Sequence, residues 1–209
     1  MNVVLLNNHS VLNAGDHAIL LETLDLIERA FPGARVALVF NDLASAREAL
    51  PGRTLLASPL SQAVRLTAGR YEFEPPRRRA ALLAGLLLGA LAWRLTGHVP
   101  PLPAPQRALL RELAAADLVL ACGGGYIYAP SGEQLLGWFT FMILGCLLAL
   151  LMGRPLVLLP QSIGPLHGLR QHLLAGLVAR GAALTLARER ISLQVLRAIG
   201  GHRRALCAP

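Results

Sequence analysis

The chain has 209 residues, of which 54% are hydrophobic, and its mean hydropathy is +0.50. A chain of this composition can bury a large core, which argues against intrinsic disorder. The net charge is +8, but the arginines that carry it are scattered apart from residues 77–79, with no basic stripe between aromatic residues. We therefore expect no nucleic-acid partner, and an anionic substrate or anionic lipid suits the charge better.

The cysteines and histidines give no metal-binding pattern. Cys122, Cys146 and Cys207 are far apart in apolar sequence, and none of them forms a C-x-x-C pair. This spacing predicts reduced thiols and a cytoplasmic protein, and we predict no metal site. The N-terminus lacks the basic segment and long apolar run of a signal peptide, so residues 3–6 are read as a first strand.

Short apolar runs alternate with helical patterns along the chain. Strands are predicted at residues 3–6, 36–40, 54–57, 117–122, 155–159, 182–186 and 205–208. Helices are predicted between the turns at residues 13–16 and 31–33, and at residues 43–50, 80–95, 106–115, 133–152, 167–180 and 189–199. This alternation predicts an α/β fold, a Rossmann-like parallel sheet with helices on both faces. Residues 1–209 then form one Rossmann-like domain, with residues 71–105 as an insertion that is irregular apart from an apolar helix.

Two apolar segments are candidates for contact with a membrane. Residues 80–93 are uncharged but too short to span easily, and residues 135–152 reach the lower limit for a spanning helix. We expect residues 135–152 to be a buried core helix, because two parallel strands need a crossover helix at this point. Peripheral membrane contact through residues 77–79 and the following helix stays open as an alternative.

Polar turns follow four of the predicted strands, at residues 13–16, 123–126, 159–165 and 187–189. The carboxyl ends of parallel strands meet at one edge of a sheet, so we expect these turns to line one ligand site. Turns between a strand and a helix also present backbone N–H groups to an anion. The predicted substrate-binding residues are Asn13, Gly15, Gly123, Gly124, Gly125, Gln161, Ser162 and Gly164.

The glycines do not form a dinucleotide-binding fingerprint. Tyr128 stands where the third glycine of that pattern belongs, and no acidic residue lies about 20 residues further on. We therefore predict no nicotinamide or flavin cofactor. Three glycines still allow a ligand to approach the backbone closely, although a tight turn without a ligand is the alternative.

Asp16 and Arg188 are the predicted catalytic residues. The Asp16 carboxylate can bind a sugar hydroxyl or act as an acid or base, although an ordinary helix cap is the alternative. The Arg188 guanidinium can hold a carboxylate or phosphate through two hydrogen bonds. The alternative for Arg188 is a surface ion pair with Glu189 or Glu112. We expect Asn13 to hold its loop, and no G-x-S-x-G pattern marks Ser162 as a nucleophile.

Taken together, these motifs resemble the polysaccharide pyruvyl transferase family. The matching segments are NAGDHAI at residues 13–19, DLVLACGGGY at 117–126, LPQSIGP at 159–165 and ARERIS at 187–192. Their order and spacing also match and cover most of the chain, whereas residues 71–105 match nothing in the family.

The resemblance implies that this chain is the first half of a GT-B-like architecture, in which the active site lies between two Rossmann-like domains. The C-terminal domain would then be missing, together with the histidine and arginine expected from it. The implied donor is phosphoenolpyruvate, with no other cofactor. The implied acceptor is a sugar of a cell-wall or exopolysaccharide precursor, as a glycan or lipid-linked sugar, which places the protein in the cytoplasm or at the inner face of the membrane.

In this scheme Asp16 acts as acid or base or orients the acceptor hydroxyl, and Arg188 clamps the donor. Two alternatives remain, a GT-B-type glycosyltransferase and a non-catalytic truncated domain that binds glycan precursors.

Overall fold

A parallel sheet runs through the centre of the molecule in the computed structural model, which describes residues 1–67, 70–129, 132, 136–201 and 205–208. The strands are β1 (Asn2–Asn8), β2 (Arg35–Phe40), β3 (Thr54–Ala57), β4 (Val64–Thr67), β5 (Arg70–Phe73), β6 (Leu118–Ala121), β7 (Gly124–Ile127), β8 (Leu156–Ile163), β9 (Leu184–Ala187) and β10 (Ala205–Cys207). The helices are α1 (Ala14–Ala30), α2 (Leu43–Ala49), α3 (Pro76–Thr96), α4 (Ala104–Ala115), α5 (Trp138–Leu151), α6 (Leu169–Gly181) and α7 (Arg190–Ala198). The predicted Rossmann-like α/β fold is confirmed.

The strand order creates a switch point between β1 and β6. The sheet has the order β10-β9-β8-β6-β1-β2-β3, with β7 added beside β8, while β4 and β5 form a separate antiparallel pair. The chain moves outward from β1 to β3, then crosses to the other side of β1 and moves outward from β6 to β10. In doubly wound sheets of this kind, ligands bind outside the carboxyl ends of the strands at the switch point.

Alternate residues of β1 enter two different cores, one on each face of the sheet. Val3 and Leu5 belong to the core that contains α1 and α2, whereas Val4 and Leu6 belong to the larger core that contains α3 to α7. Right-handed crossovers explain the division, because the helices on the two sides of a switch point cover opposite faces. The helices therefore lie on both faces, as predicted.

Helix α5 is the buried core helix that the apolar pattern predicts. Residues 139–146 are all buried, and the helix contacts both α3 and α6. The first part of the predicted helix, residues 133–135, lies outside the described residues. Helix α3 differs, because it is long and apolar enough to cross a membrane by length and composition, yet only 22% of its most apolar window is buried.

The structure corrects the prediction at the carboxyl edge of the sheet. Strand β8 continues to Ile163, although the sequence predicts that it ends at residue 159. Pro160 suggests an end because it lacks an N–H group, but Gln161 still accepts a hydrogen bond from the N–H of Arg188 at 2.9 Å. Strand β7 was not predicted either, because glycine is rare inside strands. The pair β4–β5 was also missed, and β5 runs into the charged segment at residues 71–79.

Candidate active site

A cavity of about 520 Å³ opens at the switch point, outside the carboxyl ends of β1 and β6. Its wall is formed by residues 7–9, 16, 122–126, 128, 138 and 142. The cavity thus contains two of the four predicted turns, those that follow β1 and β6. Its position is the one at which a doubly wound fold binds its ligand.

The end of β1 supplies a strained residue that the sequence analysis missed. Asn7 has a φ of 64°, a left-handed conformation that is uncommon for residues other than glycine. Its side-chain amide is buried and lies beside the Tyr126 phenol and the Cys146 thiol. The neighbouring Asn8 amide holds the strand end in place by donating to the carbonyls of Leu5 and Val39. An uncommon backbone conformation at a cavity wall is typical of a ligand-binding position. The signal in the sequence was the polar Asn-Asn-His that follows an apolar strand.

Asn13 and Asp16 have different roles at the start of α1. The Asn13 side chain is the helix cap, since its Oδ1 accepts hydrogen bonds from the N–H groups of Gly15 at 2.9 Å and Asp16 at 3.2 Å. Asn13 and Gly15 are exposed, whereas the Asp16 carboxylate lines the cavity. Because Asn13 already caps the helix, the alternative role of Asp16 as an ordinary cap does not apply.

The thiol in the cavity is not a good nucleophile. Burial raises the pKa of Cys122 to about 11, and the nearby charge of Asp16 adds to the increase. Burial likewise raises the pKa of Cys146, which lies deeper in the core, to about 12. Thiols react as thiolates, so these values leave both cysteines almost fully protonated at neutral pH. Covalent cysteine catalysis is therefore a poor explanation of the site.

Two of the three glycines meet different geometric requirements. A Cβ atom on Gly123 would lie 3.1 Å from the carbonyl oxygen of Pro160, so the close approach of β8 leaves little room for a larger residue. Gly124 has a φ of 144°, which other residues rarely adopt. A Cβ atom on Gly125 would meet nothing nearer than the Cβ of Ser162 at 3.8 Å. The glycine turn thus lets its backbone form both the cavity wall and the pairing of β7 with β8.

We expect Gly124→Ala to lower the free energy of unfolding by about 1–2 kcal/mol, because alanine is strained at this φ. Gly125→Ala is the matched control and should change that free energy by less than about 0.5 kcal/mol. Urea denaturation followed by circular dichroism measures both. Equal stabilities of the two variants would contradict the strain argument.

Aromatic side chains form one wall of the cavity. The Trp138 ring lies 6.2 Å from the His9 ring and 6.1 Å from the Tyr128 ring, measured between centroids. Tyr126 is 7% exposed, and burial raises the pKa of its phenol well above the usual value. A wall of this kind offers apolar ring faces with polar groups at their edges, which suits a sugar or another amphipathic ligand.

The predicted binding residues of the LPQSIGP segment lie behind the cavity wall. Gln161 is fully buried, and its Nε2 donates a short hydrogen bond to the carbonyl of Cys122. The Ser162 hydroxyl donates to the Glu189 carboxylate at 3.0 Å, and the Gly164 N–H donates to the carbonyl of Ile127. The segment therefore supports the glycine turn and α7, and these donors do not face the cavity.

Arg188 lies in a second cleft that shares Gly123 and Gly124 with the main cavity. The two expected ion-pair partners have other contacts. Glu112 forms a two-pronged pair with Arg35 at 2.7 and 2.8 Å, and Glu189 accepts from Ser162 and Ser192. Arg188 is exposed, so its guanidinium is available to a ligand that reaches across the glycine turn.

The fold and the cavity define a Rossmann-like α/β domain with a ligand site at its switch point, and this arrangement is compatible with a GT-B-like architecture. A family model described as polysaccharide pyruvyl transferase matches residues 13–204. The chain therefore belongs to the polysaccharide pyruvyl transferase family. No curated protein gives a significant match.

Proposed function

We propose that this protein transfers pyruvate from phosphoenolpyruvate to a sugar of a cell-wall or exopolysaccharide precursor, forming a ketal. The observation that carries the proposal is the family match, which spans Asp16 in the switch-point cavity, Arg188 in the neighbouring cleft and the glycine turn that the two share. A donor with both a carboxylate and a phosphate needs an anion-binding group next to an acid–base group.

The proposed reaction balances without an added oxidant or reductant. A proton adds to the methylene carbon of phosphoenolpyruvate, and the neighbouring carbon becomes cationic. One sugar hydroxyl adds to that carbon and loses its proton, and the carbon–oxygen bond to phosphate breaks. Loss of phosphate makes the carbon cationic again, and a second hydroxyl adds to it and loses its proton. Of the two protons released, one balances the proton taken up by the methylene carbon and the other goes to the departing phosphate. The products are inorganic phosphate and a ketal that carries the pyruvate methyl and carboxylate groups.

We assign the steps of this reaction to residues of the cavity and of the neighbouring cleft. Asp16 faces the cavity and is the group that we assign to proton transfer with the acceptor hydroxyl, or to orienting that hydroxyl. The backbone of Gly123 and Gly124 lies between Asp16 and Arg188, and Arg188 binds the carboxylate or phosphate of the donor. The aromatic wall around Trp138 then packs against the acceptor sugar. Gln161 and Ser162 position the glycine turn and do not touch substrate.

The proposed location of the protein is the cytoplasm or the inner face of the membrane. The three cysteines are all unpaired, in keeping with a reducing compartment. The proposed acceptor is a glycan or a lipid-linked sugar, and the proposal needs no metal or further cofactor.

The decisive experiment incubates the protein with phosphoenolpyruvate labelled with ¹³C at the methylene carbon and with a panel of sugar acceptors. We expect phosphate release that depends on acceptor, together with a new ¹³C-methyl signal of a ketal. Nucleotide sugars replace phosphoenolpyruvate in a parallel reaction. Transfer from a nucleotide sugar without ketal formation would instead establish a glycosyltransferase. Binding of glycan with neither reaction would establish a non-catalytic role.

A further inference from the structure

Helix α3 exposes a leucine stripe, which consists of Leu88, Leu91 and Leu95. Their exposed fractions are 65%, 42% and 76%. Spacings of three and four residues place them on one face of the helix. Pro100, Pro101 and Leu102 lie beside the stripe and form an open apolar groove with it. A continuous exposed apolar surface of this kind is typical of an interaction site.

The opposite face of α3 is fixed in the fold. Leu86 and Ala90 are fully buried, and a Cβ atom on Gly89 would lie within 2.8 Å of Leu102 and Leu110, so α3 and the chain around α4 are in close contact. If α3 crossed the bilayer, α4, which packs against this face and carries charged side chains, would have to enter the hydrocarbon with it. The helix can therefore present its outer face to lipid and lie along the surface, without crossing the membrane.

The charges around the stripe favour one occupant. Between Pro75 and Arg111 the sequence contains six arginines and no aspartate or glutamate. Arg77 and Arg78 are exposed at the start of α3. Arg78 forms an ion pair with Glu74, in which the guanidinium nitrogen and the carboxylate oxygen are 3.4 Å apart. A second copy of the chain would bring the same positive segment against itself with no acidic partner within it. Anionic phospholipid headgroups supply the missing negative charge.

We propose that α3 docks this protein on the surface of an anionic phospholipid bilayer, with the leucine stripe in the interface and Arg77 and Arg78 at the headgroups.

The start of α3 also lies close to the candidate active site. Arg79 is buried, stacks on Phe73 and donates a short hydrogen bond to the carbonyl of Leu136, two residues before Trp138 of the cavity wall. Docking therefore places the cavity next to the membrane, where a lipid-linked acceptor would be found; this last step rests on the proposed function.

Vesicle co-sedimentation tests the docking without any substrate. We expect the protein to sediment with vesicles that contain phosphatidylglycerol and to stay in solution with phosphatidylcholine alone. The double variant Leu88→Gln/Leu95→Gln should lower the partition coefficient about tenfold or more, because both side chains lose their burial in the interface. Arg77→Gln should lower it about fivefold, and added salt should weaken binding of the parent protein.

Matched controls come from the same chain. Leu169→Gln/Leu173→Gln removes two leucines of α6 that are 76% and 58% exposed, and should leave partitioning unchanged. Equal loss in the α6 variant, or equal binding to neutral and anionic vesicles, would overturn the proposal. Absence of vesicle binding, with a dimer that the α3 variant abolishes in light scattering, would instead assign the stripe to a second copy. Turnover of phosphoenolpyruvate with a water-soluble acceptor tests the proposed function separately, since it needs no membrane.

Discussion

Replacing Asp16 by asparagine is expected to lower kcat by about 10²- to 10⁴-fold, the usual contribution of a general acid or base. The substitution keeps the shape of the side chain but removes its ability to exchange a proton. The fold should tolerate it, because Asn13 and not Asp16 caps α1. The loss of a negative charge from the first turn of the helix should lower the free energy of unfolding by no more than about 1 kcal/mol.

The affinity for phosphoenolpyruvate separates a catalytic role from a role in donor binding. The donor is an anion, so removal of the Asp16 charge should leave its Kd unchanged or lower it slightly. Calorimetric titration with the donor and steady-state kinetics measure the two effects independently.

Asp25→Asn is the matched control for Asp16→Asn, because Asp25 lies on the same helix but forms an exposed ion pair with Arg29 at 2.5 Å. Its kcat should equal that of the parent protein. If Asp16→Asn also kept the parent kcat, Asp16 would have no part in proton transfer. A large rise in the donor Kd would instead make it a binding residue.

The sequence was sufficient to predict the sheet and the helices on both of its faces. Strands such as β1 and β6 are continuous apolar runs, because a parallel sheet covered on both faces excludes water from every residue. Helix α5 could be predicted for the same reason. The exposure of α3 could not, because its residues 80–93 are uncharged and apolar, as α5 is, and only tertiary contacts decide which faces of an apolar helix are covered.

The site was predicted less completely than the fold. Asp16 and the glycine turn lie on the predicted edge of the sheet, because strand ends can be placed from the alternation of elements. Asn7 was missed because its left-handed conformation depends on where β1 ends, and Trp138 because it belongs to an apolar helix. In the sequence, Gln161 and Ser162 resemble other polar turn residues, and they were predicted to bind substrate for that reason. Their direction depends on the continuation of β8 past Pro160, which local sequence does not reveal.

Arg188→Ala is expected to raise the Kd for phosphoenolpyruvate by about 10- to 100-fold, the effect of losing a charge-assisted hydrogen bond to an anion. The fold should be unaffected, because Arg188 is exposed and its backbone N–H, which the substitution retains, makes the contact with Gln161. Calorimetric titration of the donor measures the change. Arg188→Lys should recover only part of the affinity, since a lysine ammonium cannot form the two parallel hydrogen bonds of a guanidinium.

Arg190→Ala is the matched control, because Arg190 is also exposed and stands two residues further on, at the start of α7. It should bind phosphoenolpyruvate with the parent affinity, since Arg190 does not line either cleft. Equal losses in the two variants would mean that only the general positive charge attracts the donor, and such a loss would disappear at high salt. A loss confined to Arg188→Ala that persists at high salt requires direct contact. In that case the donor must reach across Gly123 and Gly124, because the glycine turn separates Arg188 from the cavity that contains Asp16.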